Sequence, residues 1–259
     1  MTQTRPTATT ARAAIAALYR PRPRTDRPSR DGIDLRIALG TWLIAWVTAA
    51  VLGSAVLTAT GQVDAVTPTL PVLAATMLLG WAVYLAGMRI VSRSWGTSRF
   101  ATDYGFDLRP VDVLGFPVGV LCQIALVPAV YVPLQALWPA IFSEDRLSDN
   151  ANQLVDPISH PAEAGLLSLL IVIGAPLVEE LVYRGLLQRS FVRQLGAVGG
   201  WLAAAGLFTL IHFRPVEYPG LAAFSLVVGA VALRAGRLGP AIAVHIGFNA
   251  TGLILAFPT

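Results

Sequence analysis

The 259-residue chain is 55% hydrophobic and only 13% charged, with a net charge of +4 and a mean hydropathy of +0.63; a soluble domain carries about a quarter charged residues. Its apolar runs are longer than any soluble core needs, so lipid is the solvent for most of the chain. The single cysteine, Cys122, excludes an intrachain disulfide and a cysteine-based metal cluster.

Residues 1–36 carry eight arginines against Asp26, Asp31 and Asp34, and no lysine occurs anywhere. The Pro-, Thr- and Arg-rich stretch 1–34 cannot assemble a core and is expected to be a disordered basic cytoplasmic tail. Within it, residues 11–20 suit a short surface helix. Beside an apolar span, such a tail sets topology and meets anionic lipid rather than nucleic acid. The first apolar run begins too late and runs too long for a cleaved signal peptide, and reads as a retained span.

Seven apolar runs follow, over 37–59, 70–91, 113–138, 163–187, 198–213, 219–235 and 238–257. A helix needs about 20 residues to cross the hydrocarbon. The first four reach that length; the fifth and sixth are short, which predicts tilt or burial within the bundle. The runs are continuous rather than alternating, so they are helices and not barrel strands. The predicted fold class is all-α: a polytopic transmembrane helix bundle of about seven spans, bounded by six and eight, with a cytoplasmic N-terminus. Residues 35–162 form its N-terminal helices and 163–259 its C-terminal membrane core.

Arginine placement agrees with that map. With the tail inside, the connections 89–112, 188–197 and 234–237 are also inside and hold eight arginines. Only Arg146 and Arg214 fall outside, beside the acidic loop 139–160. This asymmetry is what the positive-inside rule requires of a multi-pass protein of an inner cell membrane.

Ionisable groups at membrane depth are costly and few. Glu179, Glu180 and Arg184 end the fourth run, His212 the fifth, and His245 and Asn249 lie in the seventh. Glu180 and Arg184 are four apart and share a helical face. Glu179, turned about 100° away, is expected to aim toward the bundle interior. A buried carboxylate can act as general base toward water, imidazoles can hold that water, bind a metal or polarise a carbonyl, and an amide can donate to an oxyanion. On residue types alone, a catalytic or transport site and plain packing of polar groups between helices are equally good readings. Transport ranks last, because the N-terminal half has no ionisable group at depth to mirror the C-terminal set. His160, before Pro161, reads as a solvated loop residue. The six tryptophans (Trp42, Trp46, Trp81, Trp95, Trp138 and Trp201) read as lipid-facing or interfacial. Gly80 and Tyr84 read as a helix-packing pair without chemistry.

The ordered set Glu179-Glu180…Arg184, Phe208…His212 and His245…Asn249, with the surrounding APLVEELVYRGLLQ and the stretch 224–249, resembles the CAAX-protease and bacteriocin-processing family of intramembrane peptidases. The resemblance covers about residues 163–252. It implies that Glu179 activates water, that Glu180 and Arg184 support it, and that His212 helps hold the water. It further implies that His245 and Asn249 stabilise the oxyanion or ligate a metal. A zinc site from Glu179, His212 and His245 and a metal-free glutamate mechanism both remain open, although the contiguous HExxH of zincins is absent. The implied activity is endoproteolysis of a membrane-anchored or amphipathic peptide or protein; the alternative is a non-catalytic immunity or scaffold protein that keeps these residues for packing.

One mismatch of depth stands out. Measured from the cytoplasmic ends of their runs, Glu179 lies about 12 Å in and His245 about 10 Å, but His212 about 22 Å. Starting the fifth helix at Trp201 leaves about 16 Å, and the remainder predicts tilt or a bend near Gly206.

Overall fold

The computed structural model describes residues 32–257; almost all of the expected basic tail, with the surface helix proposed at 11–20, lies outside the described residues. Helices account for nearly the whole fold: α1 (Leu35–Ala59), α2 (Leu70–Trp95), the short α3 (Phe100–Tyr104), α4 (Pro110–Leu137), α5 (Glu144–Val155), α6 (161–195), α7 (197–210), α8 (Pro215–Ala235) and α9 (Gly239–Ala256). No strand occurs among the described residues. The chain is a multi-pass membrane protein of all-α architecture.

Six helical stretches are long and apolar enough to cross a membrane, and the longest, Pro161–Leu210, contains the fourth and fifth apolar runs together. A straight helix of 50 residues would be about 75 Å long, more than twice the hydrocarbon thickness. It is broken at Gly196, whose φ of 75° and ψ of 173° are non-helical. A residue with a Cβ resists that conformation, and glycine does not. The bend expected near Gly206 is therefore at Gly196, and the seven predicted runs fall on six continuous helical stretches, the fourth and fifth sharing one that folds back at the glycine hinge.

Contacts on either side of the hinge show an antiparallel hairpin. Gly200 lies against the backbone of Val192, and Phe208 meets both Tyr183, with ring centroids 5.1 Å apart, and the Arg184 guanidinium, 4.5 Å above its ring. Positions equidistant from Gly196 thus face one another. Glu179 and His212 are each about 25 Å from the hinge at 1.5 Å per residue, and so come level. The apparent depth mismatch arose because hydropathy falls at residue 188, whereas the helix itself continues through Arg189, Arg193 and Gln194 to residue 195.

The even-numbered connections gather at one end of the bundle, as the arginine map demands. Ser190 Oγ donates to the Ile33 carbonyl at 3.0 Å, Arg189 to the Gly236 carbonyl at 2.7 Å, and the Leu238 N–H to the Gly105 carbonyl at 2.9 Å. Arg237 forms a fork with Asp112, Nη1 to Oδ2 at 2.6 Å and Nη2 to Oδ1 at 2.5 Å, and both side chains are under 10% exposed. That pair ties the start of α4 to the α8–α9 turn. The opposite end holds α5, capped by Ser143 and acidic in its first turn with Glu144 and Asp145, a favourable charge for a helix N-terminus. The predicted loop 139–160 therefore contains a helix, and its Val155 packs with Leu167 and Leu253.

The main core draws on both halves of the chain: Ala38 of α1, Met88 and Val91 of α2, Leu186 and Leu187 of α6, Phe208 of α7, Val228 of α8 and Val244 of α9. Large apolar side chains such as Ile44, Val51, Leu78 and Ile254 remain outside, which suits a surface solvated by hydrocarbon. Removing one partner of a buried ion pair costs about 3–5 kcal/mol. Arg237→Ala is thus expected to lower the unfolding temperature in detergent sharply, and the double replacement Asp112→Leu, Arg237→Met should recover much of the loss; equal losses in both would show that the pair contributes only packing.

Candidate active site

The site is built where α6, α7, α8 and α9 meet. Around it, α6 widens to i→i+5 hydrogen bonding over Leu169–Gly174 and again over Glu180–Gln188, a rare helical form found mainly at functional sites. Every residue from Glu180 to Gln188 is buried.

Glu180 is fully buried. Its Oε1 accepts from Arg184 Nη1 at 2.9 Å and lies 2.8 Å from His245 Nδ1, while its Oε2 has no hydrogen-bond partner. An ionised carboxylate can only accept, so Nδ1 of His245 carries the proton in this contact. Arg184 reaches on to Ser225 Oγ at 2.9 Å, and Gln188 Nε2 donates to the Gly229 carbonyl at 2.9 Å. Phe224 covers the His245 ring at a centroid distance of 5.0 Å. This network joins α6 to α8 and α9 at membrane depth, where each charge needs its partner.

Glu179 behaves differently from its neighbour. Its side chain is 31% exposed, and its Oε2 lies 3.8 Å from Nε2 of His245, too long for a direct hydrogen bond. The expectation that Glu179 aims into the bundle interior is reversed: Glu180 takes the interior, and Glu179 faces a half-open cavity of about 240 Å³. His212 lines the same cavity, so the fourth and fifth runs do deliver a carboxylate and an imidazole to one space. His212 sits in the turn after α7, with Nδ1 2.7 Å from the Phe208 carbonyl oxygen. The carbonyl fixes the tautomer: Nδ1–H donates, and a neutral ring keeps its lone pair on Nε2. Immediately afterwards Phe213 takes a left-handed φ of 52°, a conformation costly for a bulky residue, and its ring settles 6.1 Å from that of Trp46.

Asn249 lies one turn beyond His245 on α9, but its Nδ2 donates to the Ile171 carbonyl at 2.8 Å. That bond ties α9 to the first widened segment of α6. Among the described residues, no group of three or more His, Cys, Asp or Glu side chains has an arrangement that could hold a metal ion. Glu179, His212 and His245 therefore do not form a ligand triad in this arrangement.

Several site residues were not legible as such in the sequence. Ser225 and Gln188 give no signal, being ordinary polar residues in apolar runs. Trp81 and Tyr84 of α2, with Tyr183 of α6, line the cavity, which corrects two readings: Tyr84 does more than pack against Gly80, and Trp81 is not a lipid-facing anchor. Trp201 also turns inward, its indole N–H donating to the Leu226 carbonyl at 2.9 Å. Trp95 and Trp138, each about half exposed, retain the outward placement.

Residues 161–251 match the family model described as Type II CAAX prenyl endopeptidase Rce1-like. Over this segment, about a third of the chain, the sequence is similar to the CAAX-protease family. The match begins at the first residue of α6 and ends within α9, so it contains Glu179, Glu180, Arg184, His212, His245 and Asn249 and leaves α1 to α5 outside. No curated protein and no solved structure matches the chain.

The two neighbouring glutamates differ in what they cost to remove. Glu180→Ala leaves Arg184 buried without its carboxylate, and a loss of about 3–5 kcal/mol is expected. Glu179→Ala, at a partly exposed position, should change stability by about 0.5 kcal/mol or less. Denaturant titration of both variants in the same detergent checks this; equal destabilisation would refute the division between supporting and reacting carboxylate.

Proposed function

We propose that this protein is an intramembrane endopeptidase that hydrolyses a peptide bond of a membrane-associated protein or peptide, with Glu179 as general base. One observation carries the reading: Glu179 and His212, which are far apart in sequence, line one half-open cavity, while the adjacent Glu180 is wholly buried. A carboxylate retained only for packing would be expected in the second position and not the first.

In the proposed reaction, water enters the cavity between Glu179 and His212. Nε2 of His212, bearing its lone pair, accepts one water hydrogen and orients the oxygen. The Glu179 carboxylate takes the other proton as the oxygen attacks the carbonyl carbon. The oxyanion so formed requires a donor. His245 is the candidate: Glu180 holds its Nδ1, its Nε2 points to the Glu179 side, and the ring would supply an Nε2–H to the oxyanion only in its imidazolium form. Glu179 then passes its proton to the leaving nitrogen, and the C–N bond breaks. Asn249 positions α9 through Ile171 and acts on the reaction indirectly. The basic end of the bundle, with its clustered arginines, is assigned to the cytoplasm, and the membrane to an inner cell membrane.

Glu179→Gln is expected to lower kcat/KM by about 10²- to 10⁴-fold with an unchanged unfolding temperature, and His212→Ala to do the same within that range. Full processing of a verified substrate by folded Glu179→Gln protein would end this proposal in favour of a scaffold or immunity role. In this metal-free scheme activity should also survive millimolar chelator, and the purified protein should hold well under one equivalent of zinc by elemental analysis. Loss of activity on chelation with recovery on zinc would replace the metal-free scheme.

A further inference from the structure

The cavity beside Glu179 has a wall that the family segment does not supply. Trp81 and Tyr84, three residues apart and so on one face of α2, stand opposite Val178, Val182 and Tyr183 of α6, with Ile211 at the end of α7. Apart from Glu179 and His212, every lining side chain is aromatic or branched aliphatic. Trp81 is held closely: the outer edge of its indole abuts Gly174, where a methyl group would overlap two of its ring atoms and crowd a third. Gly174 ends the first widened segment of α6, so the indole is seated on the same helix that carries the base.

We infer that Trp81 and Tyr84 form a specificity wall that selects a bulky uncharged side chain, aromatic or branched aliphatic, next to the scissile peptide bond. This rests on the hydrolase reading above and assigns its substrate preference to α2. The charge argument is direct. Glu179 is the cavity's charged lining residue; a basic substrate side chain entering there would pair with the base and quench it, and an acidic one would be repelled. A cavity of about 240 Å³ with these walls instead gains from burying apolar surface, roughly 25 cal/mol per Å². The aromatic rings add shape: Trp81 and Tyr84 close the side that α6 and α7 leave open. Chemistry and selection are thus divided between residues 161–251 and a helix outside them.

The test uses the detergent-purified full chain and internally quenched apolar peptides that vary one residue on either side of a central bond. The wild-type chain should prefer Phe or Leu over Ala, Lys and Asp at one of these positions. Trp81→Ala should shift the kcat/KM ratio for a Trp-bearing over a Leu-bearing peptide by about tenfold, within the range one apolar pocket can discriminate. Tyr84→Phe, which keeps the ring, should leave the size preference intact, and Gly174→Ala, which displaces the indole from outside the cavity, should alter it. Where Trp81→Ala does not fold, Trp81→Phe serves, with a smaller shift in the same direction. Wild-type cleavage with an unchanged ranking in folded Trp81 and Gly174 variants overturns the inference alone. Absence of wild-type cleavage of every peptide overturns the hydrolase reading and the inference with it.

Discussion

A glutamate–arginine pair sealed inside a lipid-solvated bundle is the constraint on which the rest of this structure depends. Glu180 and Arg184 are both essentially without solvent contact, and neither charge is tolerable there alone. Their pairing recruits Ser225 from α8 and His245 from α9, so satisfying one buried carboxylate fixes the mutual position of three helices. The face-on contact of Arg184 with Phe208 brings in α7 as well, a cation–π interaction strengthened by the dry surroundings.

That scaffold explains why two adjacent glutamates have opposite fates. A widened helix begins at Glu180, and the polar stripe Glu180, Arg184 and Gln188 turns toward α8 and α9. Glu179 is thereby rotated out to the cavity, still near His245 but not bonded to it. His245 stands between the two carboxylates, locked at Nδ1 by the buried one and presenting Nε2 toward the exposed one. The polar machinery is preorganised by groups that do not themselves meet a substrate, which is how a site keeps its geometry without solvent reorganisation.

The N-terminal helices also have a defined part. Their outer faces are apolar and exposed, as lipid-facing surfaces are, yet α1 and α2 share the main core with α6 to α9, and α2 closes one side of the cavity. The Asp112–Arg237 fork holds α4 to the α8–α9 turn. A family match restricted to residues 161–251 therefore covers the polar cluster, while the frame that holds it extends well beyond that segment.

Span lengths, helix class and the gathering of basic connections at one end were legible in the sequence, because hydrocarbon thickness and the cost of moving arginine across it act on composition alone. The ionisable residues Glu179, Glu180, Arg184, His212 and His245 stood out too, since such groups are rare at membrane depth, but only the ordered motif resemblance joined them with Asn249 into one candidate site. What only the tertiary structure decided depends on helix register. The hinge is at Gly196 rather than near Gly206, because hydropathy cannot tell a polar helical turn from a loop. Glu180 rather than Glu179 is interior, because a helical period sets the angle between adjacent residues but not which of them faces the neighbouring helices. The placement of Trp81 and Tyr84 could not be read at all: an aromatic residue in an apolar run looks the same whether its neighbour is a lipid chain or the Glu179 carboxylate.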